Sequence, residues 1–273
     1  RTSGSTGYPL EFYLPKDNLG MKEAMFLRHW NWIGRKNELL VRWLSGEPRF
    51  AWFDYWRNIK PLNFRKITDE QIDWIVKHKP PFMHATVFTT REIITRLQNI
   101  GKIDVLKNTT LWWTNENTES HKKQVGKYFK EIYQGYGLAE LTPIATECEY
   151  HKLHITMEVA IVEEINGEIV VTSPYNFITP VIRYKTGDCG KIKKSNCPCG
   201  RKLDILYNLV GKGVDYYEGP EVKSPIGWPI VSPISKKFLG VVKTWRAEAN
   251  LEQRKFVLEI IWNNKEDVFH YFI

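Results

Sequence analysis

Seven residues at the start of the chain, Arg1-Thr2-Ser3-Gly4-Ser5-Thr6-Gly7, combine hydroxyls, glycines and a cation in the mixture that wraps a nucleotide triphosphate. Glycine at 4 and 7 lets backbone amides close on phosphate oxygens, the hydroxyls of Thr2, Ser3, Ser5 and Thr6 add donors, and Arg1 adds charge. No Gly-Lys-Ser/Thr follows, so this is not the common P-loop. Runs of Ser, Thr and Gly also serve as plain linkers, and the loop gains meaning only from what lies downstream.

A second set of residues offers metal chemistry. Cys148-x-x-His151 precedes Cys197-x-Cys199, and the latter runs into Gly200 in a Pro/Gly-rich turn, the form of a metal knuckle. Three thiolates and one imidazole make a closed tetrahedral zinc site, which is structural and leaves no position for substrate. His154 rivals His151 as the fourth ligand, and the alternative to zinc is a group of ordinary reduced cysteines. Cys189 is expected in the core. Four cysteines are too few for a secreted disulfide framework, which predicts a reduced, cytoplasmic compartment. His84, at the end of a predicted strand, reads as a structural histidine rather than a catalytic one.

Three further segments follow in order: Tyr136-Gly137-Leu138-Ala139-Glu140, Tyr184-Lys185-Thr186-Gly187-Asp188 and Gly211-Lys212-Gly213-Val214-Asp215. Together with the opening loop they resemble the adenylate-forming (AMP-binding) ligases, nearest to the phenylacetate-CoA ligase branch and its CapK-like relatives. The resemblance implies ATP-dependent activation of a small carboxylic acid to an acyl-adenylate, with coenzyme A or another thiol as a possible acceptor. It implies that the Tyr136-Gly137 backbone flanks adenine, that Glu140 reaches Mg²⁺ and that Asp188 accepts the ribose hydroxyls. Thr6 joins Glu140 as a catalytic candidate, and the hydroxyl loop holds the phosphates of ATP. Where the family has Gly-Arg-x-x-Asp this chain has Lys212, which supplies charge without the planar fork. Similar cysteine patterns in CapK-like relatives favour the zinc reading. The family extends beyond both ends of this sequence, and no lysine after 215 matches its adenylation lysine. The alternative is therefore a catalytically incomplete relative that binds a nucleotide or acyl-adenylate in a capsular polysaccharide pathway.

The elements that must position these groups read as α/β. The spacing predicts a helix over 18–36, strands over 38–44 and 49–56, and a helix opened by a Thr68-Asp69-Glu70-Gln71 capping box and stopped by Pro80-Pro81. A strand over 82–87, a second box at Thr89-Thr90-Arg91-Glu92, a strand over 109–114 and a helix over 119–134 complete the rhythm. That alternation implies a mixed, mostly parallel sheet with flanking helices. After Glu140 the strands shorten, and Asn166-Gly167 marks a hairpin in a β-rich subdomain. The expected division is a large AMP-binding domain over 1–211 and a partial α+β lid over 212–273, after a hinge at 212–215.

At 273 residues and 42% hydrophobic the chain can bury one large core. The net charge of +8 suits anionic ligands such as ATP and coenzyme A. Basic residues are scattered rather than clustered, which argues against specific nucleic-acid binding, and no stretch reaches membrane-spanning length.

Overall fold

The computed structural model describes residues 11–44, 51–64, 67–114, 119–211, 216–218, 223–225, 242–250, 255–262 and 265–272. The chain divides into two compact units, one over Tyr13–Lys212 and one whose strands lie within Gly213–Ile273. The expected hinge residues 212–215 and the opening loop 1–7 lie outside the described residues.

The larger unit opens with helix α1 (Lys16–Trp32) and strand β1 (Leu40–Leu44). The segment expected to continue as a strand over 49–56 is instead helix α2 (Ala51–Trp56), followed by β2 (Ile59–Asn63). The reason is topological. β1 and β2 pair in parallel, and a parallel pair needs a crossover rather than a hairpin, whatever the strand propensity of Trp52, Phe53, Tyr55 and Trp56.

Next come α3 (Asp69–His78), β3 (Phe82–Thr86), α4 (Val87–Asn99) and β4 (Thr110–Thr114). The Thr68 capping box forms as expected: its side chain accepts from the Gln71 amide while the Gln71 side chain accepts from the Thr68 amide. The second expected box does not. α4 starts one turn earlier, with Thr86 as its cap accepting from the Thr89 amide at 3.1 Å, so β3 runs straight into the helix.

The helix expected over 119–134 stops at Val125 as α5 (Glu119–Val125), and after a short 3₁₀ turn the chain becomes β5 (Glu131–Tyr136). Gly126 weakens the helix, and the Ile132-Tyr133 pair alternates across the sheet, each buried on its own face. Gly135 is needed there. A Cβ on it would lie 2.8 Å from the Trp112 ring.

β2, β1, β3, β4 and β5 form the parallel half of one eleven-stranded sheet. Alternation along these strands builds two cores. Val41, Trp43, Met83, Leu111, Trp113 and Ile132 face Ile72, Ile75, Ile93 and Leu97 of α3 and α4. Leu40, Trp112 and Tyr133 pack with Phe26, Trp30 and Ile33 of α1 and its C-terminal cap on the other side. Beyond β5 the direction changes. β6 (Ala145–Glu147), β7 (Leu153–Ile155), β11 (Ile205–Val210), β10 (Tyr184–Lys193), β9 (Glu168–Thr172) and β8 (Ile161–Ile165) continue the same sheet as antiparallel neighbours. The β8–β9 hairpin turns on Asn166 and Gly167, both at positive φ (53° and 85°), as the sequence predicts.

Helix α1 ties the two halves together. Arg42 of β1 donates to both oxygens of Glu23 at 2.6 and 2.9 Å, and Arg28 donates to both oxygens of Glu158, beyond β7, at 2.5 and 3.2 Å. The described residues of the smaller unit within 213–273 are all in strands: the pair β12 (Tyr216–Glu218) and β13 (Lys223–Pro225), and a meander of β14 (Val242–Asn250), β15 (Lys255–Trp262) and β16 (Lys265–Phe272).

Candidate functional site

The parallel strands end in step. Thr86, Thr114 and Gly135 are register partners at the carboxyl ends of β3, β4 and β5, the edge of an open α/β sheet where ligands bind. Tyr136 closes β5 at this edge. The segment expected to follow a helix therefore follows a central strand instead, which fixes it more firmly.

Between Tyr136 and β6 the chain makes a tight loop in which the amides of Leu138 and Leu141 each donate to the other's carbonyl, at 2.8 and 3.2 Å. Gly137 is required by close approach, because a Cβ there would lie 2.8 Å from the Thr142 Cβ. The loop buries the Glu140 carboxylate.

The second segment arrives from β10. The register of β10 shifts between Lys185 and Cys189 on one side and between Cys189 and Lys191 on the other, with Gly187 at φ 78°. Thr186-Gly187-Asp188 is thus a bulge inside a long strand, not a reversal between strands, and the bulge re-aims the Asp188 carboxylate inward. Thr186 holds it there. The Thr186 hydroxyl donates to the Ile169 carbonyl at 2.9 Å and accepts from the Asp188 amide at 3.0 Å. Cys189, expected in the core, is exposed, because the bulge turns Asp188 in and its successor out.

The two segments meet through two phenols. The Tyr136 hydroxyl donates to Asp188 Oδ2 at 2.7 Å. Burial first, then the Asp188 charge, push its pKa well above the ordinary phenol value, with Glu140 adding to the effect. Tyr184 is likewise raised, by burial and then by the charge and hydrogen bond of Glu140, with Asp188 contributing. Both carboxylates therefore act on both phenols, and the phenols stay protonated as donors. Gly211 closes the group, since a Cβ on it would stand 3.8 Å from Asp188 Oδ1. Tyr136, Gly137, Glu140, Asp188 and the start of the 211–215 segment thus share one neighbourhood. Thr2, Ser3, Gly4, Ser5, Thr6, Gly7 and Lys212 lie outside the described residues. The sequence reading missed the side-chain work of Tyr136, Tyr184 and Thr186; their only signal was membership of the same motifs.

The thiols also gather, with one correction. Donor atoms of Cys148, Cys197, Cys199 and His154 all lie within 4.8 Å of one another. His154, not His151, supplies the imidazole. His151 sits in the tight turn after β6 at φ 53°, stacked on Tyr133 at 4.7 Å, with its two nitrogens 3.4 Å from Glu147 and 3.4 Å from Glu131. The hydrogen bond to Glu147 raises its pKa, which favours an imidazolium paired to carboxylates. His154 lies on β7, whose alternation points it toward the sulfurs while the turn carries His151 the other way.

No family model matches the chain. The chain is 24% identical over 184 residues to the protein CapK of Staphylococcus aureus, an alignment covering 61% of this chain and 41% of that protein. Among solved structures it is similar to 2-hydroxyisobutyryl-CoA ligase in complex with 2-HIB-AMP and CoA in the thioesterification state. That match has a TM-score of 0.66 at 17% identity and covers 90% of this chain and 58% of the ligase. It is also similar to a malonyl-CoA ligase with methylmalonyl-CoA and AMP bound (TM-score 0.54, 15% identity, 96% and 63% covered). A third is the O-succinylbenzoate coenzyme A synthetase of Bacillus subtilis in complex with AMP (TM-score 0.51, 15% identity, 91% and 55% covered). The chain spans less than two thirds of the length of each of these relatives. Its eleven-stranded mixed sheet with flanking helices is similar in fold to these three solved ligases.

Proposed function

We propose that this chain carries the nucleotide site of an acid–CoA ligase, which joins a small carboxylic acid to AMP with release of pyrophosphate and passes the acyl group to a thiol. The observation that supports it most is the Tyr136–Asp188 bond, which joins two motifs 52 residues apart beside Glu140 and Gly211. Asp188 accepts the ribose hydroxyls, held in orientation by Tyr136 and Thr186. The Tyr136-Gly137 backbone lies along adenine, and the hydroxyl loop 2–7, with Thr6 as the catalytic hydroxyl, cradles the phosphates. Lys212 adds a cation.

Adenylation needs little covalent work from the protein, which brings two anions together and neutralises charge. Glu140 fits Mg²⁺, being a hard oxygen donor already drawn toward a phenol rather than a basic side chain. The ion would supply charge neutralisation at the phosphates. Coenzyme A is the acceptor by analogy with the ligases of like fold, and four free cysteines accord with a reduced, cytoplasmic setting. Among the described residues no helix is long and apolar enough to cross a membrane.

ATP–pyrophosphate exchange across a panel of carboxylic acids tests the reading, alongside AMP binding by calorimetry. Exchange with at least one acid, lost together with AMP binding in Asp188→Ala, is expected. AMP binding without exchange for any acid would favour the catalytically incomplete relative. Binding undiminished in Asp188→Ala would overturn the site.

A further inference from the structure

Four donor atoms meet beside the β6–β7 turn and the β10–β11 connection. Cys148 Sγ and Cys197 Sγ are 3.7 Å apart, and Cys199 Sγ is 3.3 Å from His154 Nε2. The first distance is far too long for a disulfide, whose sulfurs sit about 2.05 Å apart. It matches the spacing of two thiolates on one tetrahedral cation. Tetrahedral zinc with Zn–S of about 2.3 Å and Zn–N of about 2.0 Å sets sulfur pairs about 3.8 Å apart and sulfur–nitrogen pairs about 3.5 Å apart.

The surroundings are built for the same geometry. His154 Nδ1 lies 2.9 Å from the Leu203 carbonyl, which only accepts, so Nδ1 holds the proton and Nε2 turns its lone pair to the sulfurs. The Tyr150 amide donates to Cys148 Sγ at 3.4 Å, and Gly200, at φ 77°, folds the second knuckle so that its amide reaches the Cys197 carbonyl at 3.1 Å. Cys148, Cys197 and His154 are buried, and Trp32 closes one side with its ring 6.2 Å from that of His154.

We propose that Cys148, His154, Cys197 and Cys199 hold one structural zinc ion, which fastens the β6–β7 turn to the β10–β11 connection. Four protein ligands close the coordination sphere, so the ion takes no substrate. Its position gives it a task. β6 carries the Glu140 loop at one end and Cys148 at the other, while β10 carries Asp188 and leads to Cys197, so the ion fixes the far ends of the stretches that hold the two carboxylates. The proposal does not rest on the ligase reading.

The test uses the whole chain, purified without added metal, with metal content measured directly and Co²⁺ loaded in place of zinc. About one equivalent of zinc, and Co²⁺ absorption with strong thiolate charge-transfer bands, are expected. X-ray absorption on the wild-type chain should give three sulfurs at about 2.3 Å and one nitrogen at about 2.0 Å. His151→Ala should retain the metal and His154→Ala should lose it. Less than about half an equivalent together with no thiolate bands on adding Co²⁺, or retention in His154→Ala with loss in His151→Ala, would overturn the assignment. If His154→Ala fails to fold, the ligand shell seen by X-ray absorption decides alone.

Discussion

The two halves of the sheet are held by different means. In the parallel half, strands of five or six residues sandwich two apolar cores, and Leu111, Trp113, Met83, Ile93 and Leu97 are fully out of water. In the antiparallel half next to it, β6 and β7 have three residues each, and the cluster around Cys148, Cys197 and Ile205 is small. An apolar core that includes Ile144, Leu153, Ile155, Ile169, Val171 and Leu206 packs along these strands, and polar cross-links add to it. Glu147, nearly fully buried, accepts from Lys122 at 3.1 and 3.2 Å and from the Gln134 amide and side chain at 2.8 and 2.9 Å. The bulge at Thr186-Gly187-Asp188 and the thiol–imidazole quartet are the other fasteners. Burying a charged group unpaired is costly, and Glu147 is buried with Lys122 and Gln134 around it.

The largest effect should come from the antiparallel half. Cys197→Ser should lower unfolding stability by more than about 4 kcal/mol, the range of lost metals and broken networks, while chelation of the wild-type chain does the same. Denaturant melts would expose the contrast, and an unchanged midpoint would erase it. Next in size, Leu111→Ala in the parallel half should cost about 3 kcal/mol through its cavity. Its AMP affinity, measured below the melting range, should stay at the wild-type value.

A third effect depends on pH. Burial, then Arg201 and Arg28, hold His29 down to about 3; burial, then Arg42, Lys22 and His29, hold His84 well below its ordinary value. Both are therefore neutral in the folded chain while the unfolded chain protonates them below about 6.5. Stability should fall as pH drops below that point, by about 1.4 kcal/mol per pH unit for each histidine, until the folded values are reached. His84→Phe should flatten the slope measured between pH 6 and 4.5. The smallest effect is Tyr136→Phe, which removes one hydrogen bond to a carboxylate. AMP binding should weaken by about 1.5 kcal/mol, with the melt nearly unmoved.

What the sequence discloses is largely local. Thr68 caps its helix, Asn166-Gly167 turns its hairpin, and the strands Phe82–Thr86 and Thr110–Thr114 stand within the expected spans 82–87 and 109–114. Each of these is decided within a few residues. The misreadings were decided at long range. Helix α2 and strand β2 follow from the parallel pairing of β1 with β2, and β5 is a strand because Leu111 and Trp112 receive Ile132 and Tyr133 in register. The choice between His151 and His154 is of the same kind, since the spacing allows either and only the alternation of β7 selects. For the site, the motifs marked Asp188 and Glu140, but the phenols that join them became visible only when segments 52 residues apart met.

The paired guanidinium–carboxylate forks of α1 have a further consequence. Glu23 is anchored to the first strand and Arg28 to the region beyond the seventh, and the two lie five positions apart on one helix, so a single rigid rod straddles the seam where the sheet reverses direction. Heat should not melt the two sides in sequence. A scanning calorimeter should record one endotherm for the larger unit, and cutting either fork should split or skew it.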